Sequence, residues 1–238
     1  MTFLVHSGRL WDDRSFRMRS QEQHHKGTSP FEDLPIDMVA TFPIDYMHLV
    51  CLVVMRKLLH MWQLATGKQS VTIDASIKQC SQCLPAEFSR KCRPLDCLEC
   101  WKAADYRQFL LYIGTVVLAS HLDSSRYEHF LLLFVAVFIF SHPILHRSFV
   151  DFGRLLLDKF VSNFSILYSP LDLVYNVHCL VNLHEDVSHF GVLDNFSAFP
   201  FESFLQTLRS TIKGPSNVAA QVYKLPHANT CCPLTLFL

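Results

Sequence analysis

The residues with the most chemistry to offer lie in NVHCLVNLHEDVSHFGVLDNFSAFPFE, residues 176–202. This stretch holds His178, His184, the adjacent acids Glu185 and Asp186, and Glu202 behind an aromatic run. Imidazoles and carboxylates are ligands for divalent metals, and a carboxylate beside a metal suits hydrolytic or phosphoryl chemistry. The histidine spacing is poor for one metal. Six residues on a straight helix turn through about 600°, so His178 and His184 point about 120° apart. Helical metal pairs use i, i+4, and the residue four after His178 is Asn182. On spacing alone both histidines read as polar helix positions. Glu202 reads as a general base or metal ligand, or equally as a first-turn acid favoured by the helix dipole.

A second constellation is Cys80-x2-Cys83 with Cys97-x2-Cys100, and Cys92 between the pairs. Two such pairs can close a tetrahedral zinc site, because thiolates are good Zn²⁺ ligands. No Gly accompanies either pair to form a knuckle turn. The alternative is thiols that simply sit in one helix and at the start of another.

The composition bounds what these residues can serve. The 238 residues carry 21 Lys plus Arg against 21 Asp plus Glu, so net charge gives no electrostatic argument for nucleic acid or an anionic membrane. Half the chain is apolar, with 20 Phe and only 7 Gly, which favours long helices around a sizeable core. Nine Cys, an odd number, and an N-terminal apolar run too short for a signal peptide imply reduced thiols in cytosol or nucleus. The run FLLLFVAVFIF, 130–140, is too short to span a bilayer, which takes about 20 residues. It reads as a buried core helix, and no membrane partner is expected.

Residues 1–40 are polar and aperiodic, with Ser29-Pro30-x-Glu32 as a helix start. Helical patterns begin at Asp45, where Met47, Val50, Cys51, Val54, Leu58 and Met61 form one stripe. Gly67 is the expected stop. Further helices are expected over 71–84, 98–119, from a Ser125-x-x-Glu128 capping box to Pro143, over 148–167, from Ser169-Pro170 to Gly191, and over 201–213. No clean strand alternation and no repeat occur. The expected organisation is a lead-in over 1–40, a helical domain over 41–222 and an unstructured tail over 223–238.

Several stretches occur together in a telling order: FPIDYMHLVCLVVMRKLLHMW, PAEFSRKCRPL, CWKAADYRQFLLYIGTVVL, YEHFLLLFVAV and VYNVHCLVNLHEDVSHFGVLDNFSAFPFESFLQTLR. Together they resemble the transposases of CACTA/EnSpm-type DNA transposons of animal genomes, over about residues 10–222. The Asp-x-Met-His element and the His-rich helix ahead of a Glu also resemble the catalytic subunit of the antigen-receptor recombinase. The resemblance implies a DDE nuclease, in which three carboxylates on a ribonuclease-H-like core hold two Mg²⁺ ions that cleave DNA and transfer strands. The fold it implies is mainly α: the helical insertion and final helix of that core, without the central sheet. Glu202 matches the third catalytic carboxylate. Asp45 and His48 match the Asp-x-Met-His element near the scissile phosphate. His178 matches the first His of a structural zinc site whose second His falls at Asn182, leaving His178 and His184 a degenerate remnant. Cys80 and Cys83 match no family role. The pattern also departs at Val53 or Val54 and at Thr115, where the family carries Gly and Gly-Pro.

On this resemblance the first two carboxylates and a Cys-x2-Cys pair are expected upstream of this sequence. It implies DNA as the ancestral partner, a nuclear location (or cytoplasmic for a decayed gene product), possible self-association, and no stably held Mg²⁺ or zinc. A helical interaction scaffold without catalysis is the rival reading, and a membrane protein held through residues 130–140 is a third.

Overall fold

The computed structural model describes residues 11–20, 22, 25–66, 70–85, 88 and 91–223. Gly67 and the tail beyond 223 lie outside that set. Among the described residues the chain is helical throughout, with no strand. It divides into two compact units, Met1–Phe196 and Ser197–Leu238. The division falls inside the stretch expected to be one helical domain, and it takes the lead-in into the first unit.

The described part of that lead-in, from Trp11 on, holds two short helical turns. A short helix α1 (Asp13–Arg17) is capped by Asp12. The Ser29/Glu32 capping box is present, but it starts a 3₁₀ turn, Pro30–Asp33. The organiser is Arg17, whose guanidinium donates to the carbonyls of Glu32 (2.7 Å), Leu34 (3.2 Å) and Ile36 (2.7 Å). Asp13 accepts from the Met38 amide at 2.9 Å, which holds its carboxyl below the usual range. One Arg can satisfy several carbonyls at once because its donors form a fixed fork.

The helix α2 is continuous, a π-helical Met47–Met55 followed by α-helical Arg56–Thr66. Its buried face is broader than the expected stripe, adding Leu49, Met55, Leu59 and Trp62. The wider π turn rotates each following residue away from the 3.6-residue period, which a period-based reading misses. α3 (Ser70–Gln82) is antiparallel to the segment 91–100, since Ser81 Oγ donates to the Cys92 carbonyl (3.3 Å) and Asp74 accepts from the Leu95 amide. The expected helix over 98–119 is split. A 3₁₀ turn, Leu95–Cys100, stops at Trp101, and α4 restarts with Ala103–Gln108, a π-helical Phe109–Ile113 and Gly114–Ala119.

The centre of the first unit is α5 (Ser124–Ser141) packed along α7 (Val150–Leu167), with the short α6 (Leu145–Ser148) between them. The α5 cap is Asp123, accepting from the Arg126 amide at 3.0 Å, and not Ser125. Phe130, Leu133, Val137 and Phe140 of α5 are buried, as are Leu157, Phe160, Val161 and Phe164 of α7. Gly153 makes the close approach possible, because a Cβ there would sit 2.4 Å from Phe140 Cε1. α5 is long and apolar enough to cross a membrane by length and composition alone.

Ser169 caps the 3₁₀ turn Pro170–Asp172 as expected. The single helix expected up to Gly191 is instead α8 (Tyr175–His178), a 3₁₀ turn Cys179–Asn182, and α9 (Leu183–Phe190). Gly191 closes it at φ +85°, where L side chains are strained. The second unit holds α10 (Phe199–Thr211) and α11 (Val218–Tyr223).

Candidate functional site

Of the sequence-predicted residues, Asp45 and His48 are brought together. The Asp45 carboxylate caps α2, accepting from the backbone N–H groups of Met47 (3.2 Å) and His48 (2.9 Å). The same carboxylate engages His48 Nδ1 in a short contact. With Nδ1 engaged, Nε2 is the ring nitrogen turned to the surroundings, and the His48 side chain is 56% exposed. A carboxylate that orients an imidazole in this way fixes its tautomer and stabilises the imidazolium. The pair can therefore donate, through Nε2–H of the protonated ring, to an anionic oxygen at the surface.

The pair is held from both sides by contacts that motif reading did not foresee, one of them from Asp186, already singled out for its chemistry. Before it, the Ile44 amide donates to Asp186 Oδ2 of α9 at 2.9 Å, across 142 residues of chain. Burial pushes the Asp186 carboxyl upward in spite of that bond. After it, Tyr46 is fully buried. The Arg107 guanidinium of α4 lies 5.9 Å from the Tyr46 ring centroid, and Arg107 pairs with Asp194 at 2.7 Å. Tyr46 and Cys51 interact, and burial pushes the Cys51 thiol up to about 12, so Cys51 stays protonated. Neither Arg107 nor Asp194 belongs to a local motif. A lone Arg on a mainly apolar helix was the available signal.

Glu202 lies in the first turn of α10, exposed, with its amide bonded to the Ala198 carbonyl at 2.9 Å. It belongs to the second unit, whereas Asp45 and His48 belong to the first.

The two zinc candidates fare differently from the Asp–His pair. His178 ends α8, and His184 opens α9 with Nδ1 donating to the Val181 carbonyl at 2.8 Å. The 3₁₀ turn between them changes the angle reckoned for a straight helix. Cys80 and Cys83 lie at the C-terminal end of α3, beside Cys92. The antiparallel run puts Leu95 back at Asp74, so Cys97 and Cys100 lie towards the other end of that helix. Asp96 bonds the Cys97 thiol and raises its pKa, which disfavours the thiolate that a metal requires. Among the described residues, no three His, Cys, Asp or Glu side chains form a group that could hold a metal.

With this geometry in hand, comparison with known proteins adds nothing further: no protein-family model, no curated protein and no solved structure matches the chain.

Proposed function

We propose that the chain is a transposase-derived helical protein, ancestrally part of a two-metal DDE machine for DNA cleavage and strand transfer, and without cleavage activity as it stands. The support is the ordered set of resembling stretches together with one observation, the Asp45–His48 pair at the head of a π-helical segment. Such π segments are frequent at functional sites. In this reading His48 Nε2 faces a DNA phosphate, and Glu202 is the remaining metal-binding carboxylate. Two-metal phosphoryl transfer needs several carboxylates to position the ions, and among the described residues no three His, Cys, Asp or Glu side chains form such a group. The proposed location is the nucleus.

Fluorescence anisotropy with labelled duplex DNA tests the DNA-binding part of the proposal. The reading expects salt-sensitive binding that His48→Ala and Asp45→Asn weaken. Binding unchanged by both variants removes the pair from the function.

A helical interaction scaffold is favoured by a different observation. Phe149, Phe152 and Leu155, at the start of α7, are exposed by 47%, 49% and 55%, and exposed apolar groups of this size mark contact surfaces when they are contiguous. Sedimentation separates the readings: concentration-dependent self-association without DNA binding favours the scaffold.

A further inference from the structure

A groove of about 690 Å³ lies in the first unit where α6, the start of α7 and the end of α9 converge. His146, Arg147, Ser188, His189 and Asn195 supply its polar groups, and no carboxylate lines it. Its apolar wall comes from Val150, Val187, Val192 and Phe190, among others. The volume falls in the usual range for small-molecule sites, which combine an apolar wall with a few convergent polar groups.

His146 is the unusual member. Its side chain is only 8% exposed. Nδ1 donates to the His142 carbonyl at 2.9 Å, so Nε2 is left as an acceptor, and it has no hydrogen-bond partner among the described residues. The absent side chain of Gly191 keeps that nitrogen approachable, since a Cβ there would lie 3.9 Å from it. Arg147 also has no acid partner among the described residues. The titratable groups facing His146 are thus Arg147 on its own helix and His189 on the helix packed against it.

Two helix ends meet here with opposite dipoles. The N-terminus of α7, at Val150, favours an anion. The C-terminal carbonyls of α9 disfavour one, but two of them are already satisfied: Phe190 by Asn195 Nδ2 at 2.8 Å, and Val187 by the Gly191 amide at 3.0 Å.

We propose that this groove binds a phosphomonoester on a small apolar or aromatic body, with Arg147 and His189 on the phosphate and His146 Nε2 accepting a hydrogen bond from its P–OH. A phosphomonoester suits this donor set better than a sulfate or carboxylate. Its second pKa, about 6, leaves a P–OH donor on half of the molecules near pH 6 and on a minority at pH 7, which neither of the others offers to a neutral imidazole.

Calorimetric titration of the full chain with phenyl phosphate, phenyl sulfate and inorganic phosphate tests this. Phenyl phosphate should bind tightest, because it alone supplies both the P–OH and a body for the apolar wall. Arg147→Ala, an exposed change that leaves the core untouched, should weaken it on the order of tenfold, the size expected for one charge-assisted hydrogen bond. His146→Gln should remove the preference for phosphate over sulfate, with circular dichroism confirming that the variant is folded. No heat with phenyl phosphate at millimolar concentration overturns the proposal. So does equal binding of phenyl sulfate, or unchanged affinity in Arg147→Ala.

Discussion

Two histidines, one in the core and one at the surface, show how surroundings divide labour among like residues. His129 of α5 is 2% exposed and stacks on Phe160 with ring centroids 4.1 Å apart. Both its nitrogens are engaged. Nε2 donates to the Phe160 carbonyl at 2.8 Å, and Nδ1 faces Tyr168 Oη at 3.5 Å, which in turn accepts from Trp62 Nε1 at 3.1 Å. Burial pushes its pKa down to about 4, so it is a neutral structural peg tying α2, α5 and the end of α7. His48 shares one nitrogen with Asp45 and leaves the other outside. A buried, saturated imidazole stabilises the fold; an oriented, half-saturated one is available for chemistry.

The sharpest way to break that contrast is to truncate both rings. His129→Ala should cost about 3 kcal/mol in urea unfolding, because it opens a cavity and removes the side-chain hydrogen bond to the Phe160 carbonyl. His48→Ala should stay within about 0.5 kcal/mol, as surface changes do. Equal costs would mean that the two sites do not differ in kind.

Proton linkage sharpens it next. The folded pKa of His129, about 4, lies below the ordinary imidazole value of 6.5, so between those values the unfolded chain binds a proton that the native state refuses. Stability should therefore fall as pH drops from 6.5 towards 4, by up to about 3 kcal/mol, and this contribution should level off below. Unfolding curves measured across that window for wild type and His129→Gln isolate it, since the variant lacks the slope due to this residue.

Gly153→Ala probes the same core from another side. The added methyl collides with the Phe140 ring, and the cost should be about 1–3 kcal/mol by thermal or urea unfolding.

The smallest effects lie at the surface pair. Asp45→Ala removes an N-cap and should cost about 1 kcal/mol, whereas Asp45→Asn keeps a capping oxygen and should cost less than half of that. Because Asn cannot supply the charge that orients His48, stability and ligand affinity should separate in this variant.

The core half of this contrast was legible in the sequence and the surface half only in outline. The run around Phe130 reads as a core helix and does bury Phe130, Leu133, Val137 and Phe140, although the full helix is also long and apolar enough to span a membrane; the Ser29, Ser169 and Gly191 signals act locally. What escaped was whatever depends on distant chain. Asp186 reaches Ile44, and Arg107 reaches Tyr46 and Asp194, through tertiary contacts that no spacing encodes. Arg17 orders the lead-in through three carbonyls, and backbone acceptors carry no side-chain signature. The π segments escaped because they break the periodicity on which the stripe was reckoned. Asp123 took the cap of α5 from Ser125 because the helix starts two residues earlier than the capping box suggested.

The most direct test of the proposed function is nicking of supercoiled plasmid by the full chain in Mg²⁺ or Mn²⁺, with Glu202→Gln alongside. The account predicts no nicking by either protein. Metal-dependent nicking by the wild type that Glu202→Gln abolishes would contradict it, because the chain would then hold a complete catalytic centre.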